Sequence, residues 1–309
     1  MLTFVPTLLI GSFIVFFLQH LVPGGPAAAL LGGGDITPEA VEAVNERLGL
    51  NRPLFVQYVD WLMHVVRGDL GVSFRDQERV SRFIIQRLEP TLLLVGGALL
   101  VALIVGGTLG IWAALRKEHW DGRAVQTLTG VGLSVPNFWL GTLAVGFFGV
   151  YLAVIPVGGY VPLSAGMPAS LHSVIAPILV MSMISTVMVA RHLRSSMTLV
   201  LESVHLRTAQ AMGLRPHEIY LNYALRIAVA PLITFLPLVV SQLVGSTVVA
   251  ERIFNIPGLG SGIVQAVNNR DYPTIQGVIL VILCAVTVLN LAADLALNAL
   301  DPRIRQLRN

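Results

Sequence analysis

Few residues in this sequence are of a type and spacing that could do bond-making chemistry. The pair His217-Glu218 lacks the second histidine, one helical turn away, that a helical zinc-protease site needs, and the seven histidines form no cluster at metal-ligand spacing. The single cysteine, Cys284, lies inside an apolar run, which rules out a disulfide framework and a cysteine-based metal site. A phosphate-cradling loop requires Gly-x-x-x-x-Gly-Lys-Ser/Thr. The one lysine, Lys117, stands between Arg116 and Glu118, so this chain cannot form one. No Gly-x-Ser-x-Gly nucleophile turn is present. The expectation is a non-catalytic chain that binds no cofactor or metal of its own.

What remains is polar chemistry in unusual places. Asn290, Asp294 and Asn298 recur every four residues in an apolar run and so share one helical face. Ser241, Gln242 and Ser246 stand similarly in another run. Intramembrane polar groups mark either hydrogen bonds between helices or the lining of a path for a solute. Ser241, Gln242, Ser246, Asn290 and Asp294 are the candidate path residues. The tripeptide Arg67-Gly68-Asp69 is too short to carry an adhesion function.

The main concentration of charge between apolar runs is the stretch 191–226, with Arg191, Arg194, Arg207, Arg215 and Arg226. Gly213 splits it into two short helical patterns: glycine suits the position just past a helix, and Pro216 suits the first turn of the next. One reading is an amphipathic rod lying on anionic lipid, each arginine gaining about 1 kcal/mol near the surface. The other is a helix–turn–helix projection that docks into a groove of a partner. The pattern favours docking.

These residues must be positioned by apolar elements. The chain has 309 residues, is 55% hydrophobic with mean hydropathy +0.77, and carries 12% charged residues, against roughly 25% in soluble domains. It is read as an all-α polytopic membrane protein. Its basic residues are too scattered for a nucleic-acid footprint. With about 20 apolar residues needed per span, six spans are expected, at about 2–21, 91–115, 124–154, 173–193, 227–250 and 274–300. No Asp, Glu, Lys or Arg occurs from Ala124 to Ala190, a stretch of 67 residues that must hold two spans. The break between them is the Pro/Gly-rich 156–168, and Pro136-Asn137 interrupts the earlier one. Gly106 and Gly110 form a small-xxx-small pair for close helix approach. The first apolar run is read as a retained helix rather than a signal peptide, because no Lys or Arg precedes it.

Residues 30–89 have soluble-type punctuation. Thr37 caps a helix that has Pro38 at its start and Gly49 at its stop. A second runs from near Pro53 to Gly68, with Leu54, Tyr58, Trp61, Leu62 and Val65 on one face, and a short third covers 80–88. Together they read as a helical cap on the membrane. The division is 1–89, the first span plus cap, and 90–309, a five-helix core with the polar loop 191–226. With both termini inside, the segments 116–123, 191–226 and 301–309 hold eleven basic and five acidic residues, net +6. The opposite side holds nine and eleven, net −2, so the short loops favour N-in/C-in and a cytosolic polar loop.

The run Arg207-Thr208-Ala209-Gln210-Ala211-Met212-Gly213-Leu214 resembles the Glu-Ala-Ala-x-x-x-Gly motif of inner-membrane subunits of ABC importers. Arg207 and Thr208 replace its first two letters, as is usual in the dipeptide/oligopeptide/nickel permease branch. The strings 67–74 (RGDLGVSF), 133–141 (LSVPNFWLG), 257–260 (PGLG), 270–273 (RDYP) and 301–305 (DPRIR) also resemble that branch, in order along nearly the whole chain. The long segment after the first span is similar to that of the B-type subunit. Such subunits often begin with a basic segment, and its absence here leaves open a start upstream of Met1.

The resemblance implies a type I ABC importer fold and a permease of the bacterial cytoplasmic (inner) membrane forming half of a path for dipeptides or oligopeptides. It implies a C-type permease partner, two cytosolic ATPases that use ATP and Mg, and an extracytoplasmic binding protein. Relatives of that branch also carry nickel chelates or glutathione. By the same resemblance Arg207, Thr208, Ala209, Ala211, Gly213, Arg215 and Glu218 would couple the permease to an ATPase. A function of another class, a stand-alone secondary transporter or channel, would call for inverted repeats with broken helices, and no clear repeat is seen.

Overall fold

The computed structural model describes residues 4–18, 37–132, 136–152, 156 and 158–300. Residues 19–21 of the first expected span, 133–135 and the basic tail 301–309 lie outside this set. Among the described residues the fold is helical, with one isolated bridge between Val72 and Arg79. The helices are α1 (Phe4–Leu18), α2 (Pro38–Leu48), α3 (Leu54–Val66), α4 (Val80–Leu115), α5 (Trp120–Gly132), α6 (Asn137–Ala144), α7 (Met167–Leu201), α8 (Val204–Ala211), α9 (Pro216–Ile253), α10 (Leu259–Asn268) and α11 (Tyr272–Leu300). Single wide turns interrupt the regular hydrogen bonding at Ala102–Gly106 in α4 and Ile219–Ala224 in α9, and another, Val145–Tyr151, extends α6. Among the described residues four helices are long and apolar enough to cross a membrane: Val80–Leu115, Met167–Leu201, Pro216–Ile253 and Tyr272–Leu297. Phe4–Phe17 and Gly141–Tyr151 are shorter apolar helices.

The chain forms two compact units, residues 1–89 with 257–288, and residues 90–256 with 289–309. In the first, α2 begins and ends where its punctuation dictates. The Thr37 side chain accepts a hydrogen bond from the Ala40 N–H at 3.3 Å, and Gly49 turns the chain left-handed at φ 67°. Helix α3 closes in the same manner at Gly68, φ 82°. Its inward face centres on Tyr58, whose ring meets Phe13 and Phe16 of α1 edge-on at 5.2 and 5.7 Å. The Tyr58 hydroxyl lies 2.8 Å from Ser12 Oγ. Leu54, expected on that face, is 43% exposed. A second apolar stripe of α3, Phe55, Val59, Met63 and Val66, is also exposed.

Asp271 joins two strings that lie about two hundred residues apart in sequence. Its carboxylate accepts from the Ser73 hydroxyl at 2.7 Å, the Phe74 N–H at 2.9 Å and the Thr274 hydroxyl at 2.6 Å. The side chains of Val80, Ile84, Leu259 and Val278 form the local core.

The second unit is built on the approach of α4 to α7. A Cβ on Gly106 would fall 2.5 Å from the Thr186 carbonyl oxygen, and one on Gly110 would fall 2.6 Å from that of Ala190. The small-residue pair therefore acts as expected, bringing two backbones into contact. Around it Leu94, Val174, Met181, Val189, Val239 and Leu243 fill a continuous core with residues of α9.

Several boundaries differ from the sequence reading. The short helix at 80–88 and the following span are one helix, continuous through Pro90. Helix α7, expected over about 173–193, runs from Met167 to Leu201: charge ends a span, and no glycine or proline between Arg191 and Leu201 ends the helix. The connection 251–272 contains α10, whose Leu259, Gly262 and Ala266 are buried at helical spacing. The interruption at Pro136 is present, with Pro136 extended at φ −65° and ψ 132° ahead of α6.

Replacing Asp271 with Ala leaves three donors without their acceptor. It is expected to destabilise the chain by roughly 1–3 kcal/mol, read as a lower melting temperature in detergent. Asp271→Asn, which keeps one acceptor oxygen, should lose less. Equal melting of wild type and Asp271→Ala would contradict the assignment.

Candidate functional site

The polar loop is narrower and stiffer than its composition implies. Helix α7 ends at Leu201, Ser203 is extended, and α8 occupies Val204–Ala211. Leu206 and Ala209 of α8 point inward and are buried, 2% and 9% exposed, in the core shared by α4, α7 and α9. Val204, Thr208, Ala211 and Met212 face outward. After α8 the chain reverses at Gly213, φ 79°. The Gly213 N–H donates to the Gln210 carbonyl at 3.0 Å and the Leu214 N–H to the Ala209 carbonyl at 3.3 Å, the paired bonds of a glycine-closed helix end. Leu214 packs against the same core. Nothing lies within 4 Å of a Cβ built on Gly213, so backbone conformation and not space demands the glycine.

Arg215 is extended, Pro216 opens α9, and the Glu218 carboxylate accepts from the Arg215 N–H at 3.2 Å, capping the helix. Ile219 is buried in the core, so the second arm of the turn is the first part of α9 rather than a separate helix. The loop is thus held on both sides, by Leu206 and Ala209 before the turn and by Ile219 after it. A third tie comes from the connection before α5. Lys117 Nζ lies 2.6 Å from Glu202 Oε1, and this hydrogen bond, with the Glu202 charge, raises the Lys117 ammonium above the usual lysine value. It is charged, and the tie intact, at neutral pH.

The sequence-derived coupling residues therefore divide. Thr208, Ala211, Gly213 and Arg215 are exposed, Ala209 is buried in the core, and Glu218 is half-buried and caps α9. Arg207 lies on α8, its side chain outside the described set. Two exposed residues the sequence reading did not single out are Val204 and Met212, 74% and 78% exposed, which give the outer face an apolar character. The signal for Val204 was available, since it falls on the α8 face opposite Leu206 and Ala209; Met212 follows the last residue of α8, where the chain turns at Gly213.

The path candidates also divide. Gln242 and Ser246 line a cavity of about 250 Å³ with Met181, Ile184 and Ile253, between α6, α7 and α9. Ser246 Oγ donates to the Leu243 carbonyl and Ser241 Oγ to that of Pro237, so both hydroxyls bond their own helix. Ser241 is exposed and does not line that cavity. Asn290 and Asp294 share an exposed face of α11. One buried acid went unrecognised in the sequence. Glu251, just past the expected span 227–250, lies within α9 at 1% exposure and accepts from the Thr91 hydroxyl at 2.8 Å. Its position at the end of an apolar run gave no sign of burial.

Residues 106–306 match the family described as binding-protein-dependent transport system inner membrane component, and residues 1–95 match the N-terminal region of the same systems. This chain belongs to that family and is an inner-membrane protein. It is 37% identical to a probable peptide ABC transporter permease protein, y4tP, of Sinorhizobium fredii, over 96% of this chain and 94% of the relative. It is 35% identical to the glutathione transport system permease protein GsiC of Salmonella choleraesuis, over 99% and 97%. A chain of the inward-facing MetNI methionine ABC transporter shares the fold, with TM-score 0.58 and 18% identity over 71% of this chain and 96% of that one.

Valine at Gly213 must adopt a left-handed backbone at a cost of about 1–2 kcal/mol, whereas asparagine tolerates it. Gly213→Val should melt measurably below Gly213→Asn in detergent. Equal melting of the two would show that φ at this position is not a constraint.

Proposed function

We propose that this chain is the B-type permease subunit of an ATP-driven importer of short peptides, forming half of the translocation path. The observation that carries the proposal is the full-length similarity to permeases named for peptide and glutathione transport, glutathione being itself a tripeptide. It is supported by an anchored helical turn with an exposed, partly apolar face next to long apolar helices. In this reading α1 and the α5–α6 region join the four long helices as six spans, N-in/C-in, with α2 and α3 in an extracytoplasmic cap. The partners are a C-type permease, two cytosolic ATPases holding ATP and Mg, and a binding protein that delivers substrate.

The geometry supports a mechanism. An ATPase groove that receives α8 and the Gly213 turn also grips the start of α9. Helix α9 is continuous from Pro216 to Ile253, so displacement at its start is carried along the helix to Gln242 and Ser246. Closure of the ATPase pair would thereby change which side the path opens to, and hydrolysis would reset it.

The test introduces a charge on the exposed docking face without touching the core. Met212→Asp should insert and melt like wild type, yet fail to retain the ATPase subunits on purification and lose uptake of radiolabelled dipeptide. Retained ATPase with normal uptake would refute docking through this face.

A further inference from the structure

A cavity of about 530 Å³ opens between α4, α5 and α7, lined by residues of neither α8 nor the Gly213 turn and not by Gln242. That volume falls in the range of small-molecule sites, roughly 300–1,000 Å³. Its walls are of two kinds. Leu109, Val125 and Ala190 are apolar, while Arg191, Arg194 and Thr198 are polar. The arginines follow directly on the charge-free stretch that ends at Ala190, so the cavity sits where α7 passes from the apolar to the polar zone.

The charge around it does not balance. Each nearby carboxylate among the described residues already has a cation: Glu202 and Lys117 lie 2.6 Å apart, and Asp121 and Arg116 lie 3.0 Å apart. Glu118 lies 3.9 Å from both Lys117 and Arg123. Arg194 is half-buried, and its guanidinium donates to neutral groups, the Gln126 side-chain oxygen at 2.9 Å and the Ala113 carbonyl at 3.5 Å. Neither bond compensates its charge. Arg191 stands beside it on the same wall. Among the described residues five cations thus face three carboxylates, leaving a net +2 beside a cavity with an apolar wall. A half-buried, uncompensated guanidinium calls for an anion, and arginine forks match phosphate oxygens.

We propose that this cavity binds the phosphate of an anionic phospholipid, with Arg191 and Arg194 on the headgroup and the acyl chains leaving along the Leu109 and Val125 wall. A soluble phosphate would satisfy the arginines but leave the apolar wall uncovered, which favours the lipid. The proposal rests on the membrane reading of α4 and α7 and is independent of the transported substrate.

The test uses the full chain in nanodiscs of phosphatidylcholine with phosphatidylglycerol, reading retained lipid by native mass spectrometry after gentle release. Wild type should retain phosphatidylglycerol over phosphatidylcholine. Arg191→Gln and Arg194→Gln should each lower that preference about fivefold, and Arg123→Gln should leave it unchanged. Should Arg194→Gln not fold, Arg191→Gln alone carries the test, because the exposed Arg191 side chain supports no core contact. An unaltered preference in the arginine variants would overturn the site. Displacement by millimolar inorganic phosphate would overturn the lipid in favour of a soluble anion. Loss of the preference once the ATPases and second permease are assembled would overturn it in favour of a protein partner.

Discussion

The contact of α4 with α7 at Gly106 and Gly110 is the interaction on which the second unit depends. In lipid, apolar side chains gain nothing by leaving one hydrocarbon surface for another, so helices associate through close packing and polar contacts. Two glycines one helical turn apart remove the side chains that would hold the backbones apart, and the Thr186 and Ala190 carbonyls move into the space. Once α7 is fixed, α9 packs beside it through Val239 and Leu243, and the core continues without interruption to Leu206, Ala209 and Ile219 at the polar end.

That continuity gives the loop its mechanical meaning. A projection tethered only by flexible chain could bind a partner but transmit little. Here the turn at Gly213 is closed by two backbone hydrogen bonds, anchored by buried residues on each side, and continued into α9 through the wide turn at Ile219–Ala224. The exposed residues around it are therefore presented by a rigid support, the condition under which a partner's motion can be carried to residues lining a cavity among the helices. Glu251, buried beside Thr91 at the far end of α9, fixes a polar anchor in that same helix.

Punctuation was legible in the sequence, whereas packing was legible only in part. Thr37, Gly49, Gly68, Gly213 and Pro216 mark helix ends because their backbone preferences act locally, and each acts where expected. The small-residue pair was equally plain, since close approach in a membrane has few other solutions. The ends of spans misled. Arg191 stops an apolar run but not a helix, so α7 continues ten residues further, and Pro90 lies within α4 because surrounding contacts outweigh one missing N–H. Helix α10 escaped because glycines dilute its apolar pattern. The junction of Ser73 and Phe74 with Asp271, and the burial of Glu251 and Ala209, arise from long-range contacts that no local pattern encodes.

The central claim is that the Gly213 turn faces the cytosol and is covered there by an ATPase. A single cysteine at Met212, in a chain with Cys284 replaced by serine, can be probed with a membrane-impermeant maleimide. The account predicts no labelling in intact cells, strong labelling in inside-out vesicles stripped of ATPase, and protection when the ATPase is restored. Labelling of the intact cells from outside would contradict it.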